Sequence, residues 1–234
     1  MQTQREVTIP IAGRQLSGTL GLPQVASGIV LFAHGSGSGR FSPRNQFVAE
    51  SLQHAGLGTL LIDLLGEDEA ADRRKVFDIE LLAERLLAAA LWLSHEPATH
   101  DLRLGYFGAS TGAAAALVAA ARRPELAWAV VSRGGRPDLA STDLPDVMAP
   151  TLLIVGGLDE VVIELNRQAM ALLRCPTELV VIPGATHLFP EPGTLEEVAH
   201  LAEQWFLQHL GSGSQSPPNR AGRIGDRAPR SEGG

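Results

Sequence analysis

The sequence predicts one α/β domain with a doubly wound, mostly parallel sheet of about eight strands and helices on both faces. Two observations favour it. Apolar runs of strand length alternate with helical patterns along the chain, and several of these runs end directly in Gly-rich or polar loops. The 234 residues, 44% hydrophobic and 19% charged, suffice for one domain with a substantial core.

The first half of the chain predicts a hairpin followed by alternating strands and helices. Period-two alternation marks the hairpin, and continuous apolar runs mark strands that are buried on both faces. Ser42 and Pro43 are typical of a helix start, and Gly56 of a helix end. The segment 66–75 is acidic and then basic, has no apolar period, and is predicted to be a surface loop. The predicted strands are 7–11, 15–20, 28–33 and 58–63, and the predicted helices are 42–56 and 79–93.

The second half continues the alternation. Only residues 133–150 separate two of its strands, which is too short an interval for a cap domain. The domain is expected to cover residues 1–210. Residues 211–234, rich in Gly, Pro, Ser and Arg, bury too little apolar surface to order and are predicted to be disordered. The predicted strands are 102–107, 127–132, 151–155 and 179–182, and the predicted helices are 113–121, 162–172 and 195–210.

Charge and residue counts exclude several classes of protein. The net charge of −7 argues against nucleic-acid binding. Cys175 is the single cysteine, so neither an internal disulfide nor a cysteine metal cluster is expected. Lys75, the single lysine, does not follow a glycine as a P-loop lysine would. With a polar N-terminus and no apolar run of about 18 residues, no membrane association and a cytoplasmic location are expected.

The segment Gly108-Ala109-Ser110-Thr111-Gly112 lies between a predicted strand and a predicted Ala-rich helix. Strand, G-x-S-x-G and helix in this order are typical of a sharp turn that exposes a nucleophilic serine at the carboxyl edge of a sheet. The two glycines are expected because side chains there would collide with neighbouring chain. The alternative is an ordinary strand-to-helix turn in which Ser110 is the N-cap.

Two polar residues follow later strands at the same predicted edge. Asp159 comes after strand 151–155 and His187 after strand 179–182. A serine hydroxyl needs a base to act as a nucleophile, and that base needs an orienting acid. Asp159 could instead cap the following helix, and Glu160 and Asp63 are competing acids.

A Gly-rich segment, His34-Gly35-Ser36-Gly37-Ser38-Gly39, ends the strand before the first helix. One interpretation is a loop whose N–H groups bind developing negative charge. The alternative, a nucleotide-binding loop, is disfavoured because Arg40 stands where G-x-G-x-x-G needs its third glycine.

These motifs, in this order, resemble the α/β-hydrolase superfamily and, within it, the dienelactone-hydrolase-like branch, over roughly residues 7–210. The motifs are His34-Gly35-Ser36-Gly37, the turn at Ser110, Gly157-Leu158-Asp159 and Gly184-Ala185-Thr186-His187. The namesake enzymes have a cysteine nucleophile, whereas Ser110 occupies that position here. The resemblance therefore implies a serine esterase rather than a hydrolase of dienelactone.

The resemblance also implies residue roles. Ser110 would be the nucleophile, His187 the general base and then acid, and Asp159 the carboxylate that orients it. The amide of Thr111 would supply one oxyanion donor, and that of Ser36, with Gly37 as the alternative, the other.

The implied reaction is hydrolysis of a small acyl ester, lactone or thioester through an acyl-serine intermediate, with neither a metal nor an organic cofactor. An acyltransferase with the same three residues and a non-catalytic binding protein are the alternatives. Gly37, Arg133 and Phe189 are candidates for contact with the small-molecule substrate, Arg133 through an anionic group. The alternative for Arg133 is a structural salt bridge. The oligomeric state is left open.

Overall fold

The fold is a twisted eight-stranded sheet with helices on both faces, as predicted. The computed structural model describes residues 3–211, except for the side chain of Glu67. The strand order is β1-β2-β4-β3-β5-β6-β7-β8. β2 pairs antiparallel with β1 and with β4, and all the other pairs are parallel. The strands are β1 Thr3–Ile11, β2 Arg14–Leu22, β3 Ile29–Ala33, β4 Gly58–Ile62, β5 Leu104–Ala109, β6 Ala127–Arg133, β7 Thr151–Gly156 and β8 Thr177–Ile182.

Seven α-helices and two short 3₁₀ turns accompany the strands in the described region. The helices are α1 Pro43–His54, α2 Glu67–Ala70, α3 Arg73–Val76, α4 Ile79–Leu93, α5 Thr111–Arg122, α6 Glu160–Leu172 and α7 Thr194–Leu210, and the 3₁₀ turns are Pro137–Ala140 and Leu144–Asp146.

Each face of the sheet forms its own apolar layer. Side chains alternate along the central strands, so Phe107 and Val131 point towards α1 and α7, whereas Tyr106 and Val130 point towards α4 and α5. Helix α5 is alanine-rich and almost fully buried, which lets it pack closely behind the carboxyl end of β5. The parallel strands β3 to β8 therefore end at one edge, where the polar loops collect.

The prediction that 66–75 is a plain surface loop was wrong, because the segment contains most of α2 and α3. The N–H groups of α2 and α3 are capped locally. The Glu69 carboxylate accepts from the Gly66 N–H at 3.3 Å, and the Asp72 carboxylate accepts from the Arg74 N–H at 3.0 Å. The sequence did not predict these two helices, because they are too short to show apolar periodicity and are held by polar capping contacts instead.

Glu69 anchors this segment to the domain. It is buried and forms a two-bonded ion pair with Arg85 of α4, with contacts of 2.6 and 2.8 Å. Arg85 also donates to the Leu64 carbonyl at 2.6 Å, and Lys75 approaches Glu69 at 3.0 Å. The hydrogen bonds from Arg85 hold the pKa of Glu69 well below its usual range.

Glu69→Gln should lower the free energy of unfolding by about 3 kcal/mol, because it leaves the buried Arg85 without its counter-charge. Urea unfolding at pH 7 measures the change. Glu164→Gln, which affects an exposed pair at 3.8 Å, is the control and should change stability little. A loss below 0.5 kcal/mol for Glu69→Gln, on the order of a surface effect, would contradict this assignment.

Among the described helices, none is both long enough and apolar enough to cross a membrane.

Candidate active site

Ser110 stands on the strained turn that the sequence predicts. Its φ of 52° and ψ of −123° lie outside the regions that L residues favour, and it directly precedes α5. Its N–H donates to the Arg133 carbonyl at 3.3 Å, and its carbonyl accepts from the Arg136 N–H at 3.1 Å. Its side chain makes no capping hydrogen bond to α5. Backbone hydrogen bonds to the end of β6 and the loop after it thus hold the turn, and the Ser110 hydroxyl does not cap α5.

The glycines on either side of Ser110 are required by close approach. A Cβ on Gly112 would collide with the carbonyl oxygens of Ala33 and His34, and one on Gly108 with the backbone of Ala113. The turn therefore packs directly against the end of β3 and the first turn of α5. This brings Ser110 next to the Gly-rich segment 34–39.

Asp159 and His187 are hydrogen-bonded to each other. The distance from His187 Nδ1 to Asp159 Oδ2 is 2.6 Å. Asp159 occupies the N-cap position of α6 but makes no capping hydrogen bond with its side chain, so its carboxylate is directed to the histidine. Backbone hydrogen bonds from Gly157 and Leu158 to the Ile182 and Ala185 carbonyls, at 2.8 and 2.9 Å, tie the two loops together.

Of the competing acids, neither faces His187 in this way. Asp63 accepts two hydrogen bonds from Arg40, at 2.8 and 2.9 Å, and Glu160 is exposed in the first turn of α6. Within residues 3–211, no hydrogen bond joins the Ser110 hydroxyl to His187. Because Asp159 holds Nδ1, Nε2 is the ring nitrogen left to take a proton from a nucleophile.

The segment 34–39 leaves amide groups free near Ser110. A turn closed by the Ser38 N–H and the Gly35 carbonyl at 3.3 Å leaves the amides of Ser36 and Gly37 without acceptors among the described residues. Gly37 has a φ of 68°, which a side chain would strain. Both amides thus remain candidates for the second oxyanion donor beside that of Thr111.

His34 fixes this segment to the chain that follows β4. Its ring is buried, its Nε2 accepts from the Leu64 N–H at 3.0 Å, and its Nδ1 lies 3.0 Å from the Gly35 carbonyl. Because Nε2 accepts, Nδ1 carries the proton and donates, and the imidazole is neutral. Burial lowers the pKa of His34, although the Gly35 carbonyl and Asp63 partly oppose this effect.

Stability should therefore fall as the pH falls below about 6.5, the pKa of histidine in an unfolded chain. The folded state binds this proton less readily than the unfolded state, so acid favours unfolding. The contribution at pH 5.5 is at most about 1.4 kcal/mol. Urea midpoints at pH 7.5 and 5.5 measure it, and His34→Gln should reduce the difference. An equal difference in both proteins would show that other groups cause the pH dependence.

A cavity of about 340 Å³ opens beside the oxyanion candidates. Its polar wall is formed by the segment 34–39 together with Ser42, Arg44 and Thr111. Its opposite wall is apolar and includes Leu65, Ala70, Val76 and Leu82. The α2–α3 segment thus supplies part of the cavity wall, which its charged composition did not indicate.

The structure places the three residues predicted to contact substrate in different surroundings. Gly37 lines the cavity. Arg133 is buried beside the turn at Ser110. The expectation for Phe189 was wrong, because its side chain is buried in the apolar layer of α1 and α7 rather than facing the cavity. Its φ of 56° turns the chain after His187 so that the ring points into that layer.

Sequence reasoning missed the parts of the site that depend on distant contacts. These are the hydrogen bond of His34 to Leu64, the support of the segment by Arg40 and Asp63, and the position of Arg44 in the cavity wall. Only Arg44 had a local signal, since it lies in the first turn of a predicted helix that follows the Gly-rich segment.

Curated proteins and solved structures are similar to this chain over most of its length, and not only at the motifs. A protein of Mycobacterium tuberculosis strain H37Rv with the provisional name phosphoribosyl transferase is 58% identical over 205 residues, which is 88% of this chain and 46% of that protein. The chain thus spans about half the length of the curated relatives that it matches. A dienelactone hydrolase from Anabaena variabilis is 57% identical with a TM-score of 0.87, over 89% of this chain and 99% of that one.

More distant structures share the fold. Est1E from Butyrivibrio proteoclasticus superposes with a TM-score of 0.74 at 18% identity, over 87% of this chain and 98% of that one. The dienelactone hydrolase family model matches residues 19–210, which include β3 to β8 and all the candidate site residues. The chain therefore belongs to the dienelactone hydrolase family and has the α/β-hydrolase fold.

Proposed function

We propose that this protein is a serine hydrolase that cleaves small acyl esters through an acyl-serine intermediate. The observation that carries the proposal is the 2.6 Å hydrogen bond between Asp159 and His187 at the sheet edge where the strained turn presents Ser110. This bond fixes the tautomer in which Nδ1 carries the proton and Nε2 can accept one.

In the first half of the reaction, the Ser110 oxygen attacks the ester carbonyl carbon while Nε2 of His187 takes the hydroxyl proton. A bond forms between Oγ and that carbon, and the carbonyl electron pair moves to oxygen. When the pair returns, the bond to the alcohol oxygen breaks and His187 gives its proton to the departing alcohol.

Negative charge on the intermediate would be met by backbone amides. The amide of Thr111 lies at the start of α5, where the helix dipole also favours an anion. The amide of Ser36 or Gly37, both free in the described structure, would be the second donor. The hydrogen bonds of His34 and the Arg40–Asp63 pair hold the segment in place before the substrate arrives.

In the second half, water attacks the acyl carbon and gives its proton to Nε2. The bond to Ser110 then breaks, the acid leaves and the serine regains its proton. The apolar wall of the cavity, with Leu65, Val76 and Leu82, suits a small hydrocarbon part of the substrate. A lactone or a thioester would follow the same steps with a different leaving group.

The proposal is tested by kinetics on a panel of small esters, lactones and thioesters, followed by product analysis with and without added alcohols. Hydrolysis with free acid as the product supports it. Transfer of the acyl group to the alcohols in preference to water would identify an acyltransferase instead. No turnover of any compound would favour a binding protein on this fold.

A further inference from the structure

Arg133, the last residue of β6, is a buried cation with unmet hydrogen-bonding capacity. It is 7% exposed, and its Nε and Nη1 have no hydrogen-bond partner. Within residues 3–211, no carboxylate lies within ion-pairing distance of it. A guanidinium out of water needs an anion or other acceptors to offset its lost hydration. Burial, with a smaller contribution from Arg44, lowers the pKa of Arg133 to about 10.

Arg44, in the first turn of α1, is the second cation of the same region. It lines the cavity, and its Nε is buried without a partner. In the described part of the chain it forms no ion pair either. The positive charge of Arg44 contributes to the lowered pKa of Arg133. Among the described residues, neither guanidinium has a carboxylate partner.

The strand register brings Arg133 to the site. It pairs with Ala109 of β5, the residue before Ser110, and its own carbonyl accepts from the Ser110 N–H. By strand alternation, it is on the same face as Val131, which packs towards α1 and α7. Gly134, next in the chain, lies against His187. Arg133 therefore lies beside the turn at Ser110, on the face of the sheet that packs against α1 and α7.

The beginning of α1 adds further positive character. This helix has 12 residues, and the Ser42 hydroxyl at its N-cap makes no capping hydrogen bond. The free amides of a first helical turn and its dipole favour an anion. Two guanidiniums beside such a helix end match the charge of a doubly negative oxyanion better than that of a single carboxylate.

We propose that Arg133 and Arg44 form an anion subsite beside Ser110 that binds a phosphate monoester group of the substrate. The natural substrate is then a small acyl ester that also carries a phosphate group, with its hydrocarbon part against the apolar wall of the cavity. The identity of the reaction rests on the proposed function, whereas the binding of the anion does not.

The binding test uses the whole protein and inorganic phosphate as the probe. Thermal unfolding is measured with phosphate and with sodium chloride at equal ionic strength, for wild type, Arg133→Met, Arg44→Met and the control Arg167→Met, which replaces an exposed arginine of α6. A ligand that binds the folded state raises the unfolding temperature. We expect phosphate to do so for wild type and for the control, and we expect each of the two other variants to bind phosphate at least tenfold more weakly by calorimetry.

Arg133→Met should unfold at the same temperature as wild type, or a higher one, in buffer without phosphate, because it removes an uncompensated buried charge. If this variant unfolds lower instead, Arg133 is structural and the proposal is wrong. Arg44→Met tests the second cation independently of Arg133→Met. An equal shift by phosphate in all four proteins would show a general salt effect and overturn the subsite. A shift by acetate or succinate as large as that by phosphate would overturn the phosphate assignment.

A kinetic test separates this proposal from the function. The acetate esters of glycerol phosphate and of glycerol are compared as substrates. We expect a kcat/KM at least tenfold higher for the phosphorylated ester, lost in Arg133→Met mainly through KM. Equal rates for both esters overturn the subsite while hydrolysis stands. Phosphate binding that depends on both arginines, without turnover of any ester, supports the subsite and contradicts the hydrolase.

Discussion

Ser110→Ala should lower kcat/KM for the best ester substrate by about 10⁴-fold or more, because no acyl-enzyme can form without the hydroxyl. The residual rate would come from binding and from the oxyanion amides. The fold should survive, since the structure uses the backbone of Ser110, and not its side chain, to hold the turn.

The comparison needs a matched serine variant and a stability measurement. Ser141→Ala removes an exposed hydroxyl at the end of a 3₁₀ turn and should keep wild-type activity. Steady-state kinetics and urea unfolding are run on all three proteins. If Ser110→Ala has an unchanged unfolding midpoint and turns over substrate within tenfold of the wild-type rate, the covalent mechanism is contradicted.

Asp159→Asn should lower kcat by about 10³- to 10⁴-fold, because the asparagine N–H can donate a hydrogen bond to His187 Nδ1 and so favour the tautomer with its proton on Nε2. The carboxylate is also needed to stabilise the imidazolium that forms during attack. The side chain does not cap α6, so the helix should lose little stability.

Two neighbouring acids serve as controls for this substitution. Glu160→Gln changes the adjacent carboxylate, which is exposed, and should leave kcat within a few-fold. Asp63→Asn weakens the support of the Gly-rich segment by Arg40 and should have an intermediate effect. If Glu160→Gln lost as much activity as Asp159→Asn, the acid would have been assigned to the wrong residue.

Local sequence patterns were enough to predict the central strands, the turn at Ser110 and the sheet edge that carries the candidate site. Continuous apolar runs predicted the central strands because these strands are buried on both faces, and the glycines around Ser110 predicted the turn because close backbone approach excludes side chains there. Asp159 and His187 were placed at one edge because they follow parallel strands, and the structure brings them into contact.

Contacts between distant segments were not predictable in this way. The burial of Glu69 depends on Arg85 in another helix, and the lowered pKa of Arg133 depends on its burial and on Arg44, which is distant in the sequence. Phe189 shows the same limit, because a positive φ turns its ring into the core and the residue type alone does not specify that. The calls on residues 212–234, including their disorder, lie outside the described residues.

The most direct test of the central claim is intact-mass spectrometry after treatment with a fluorophosphonate, for wild type and for Ser110→Ala. An activated serine displaces fluoride from the reagent and forms a stable adduct at Oγ. The account predicts a single adduct on wild type and none on Ser110→Ala. No adduct on either protein, or an equal adduct on both, would contradict the assignment of Ser110 as the nucleophile.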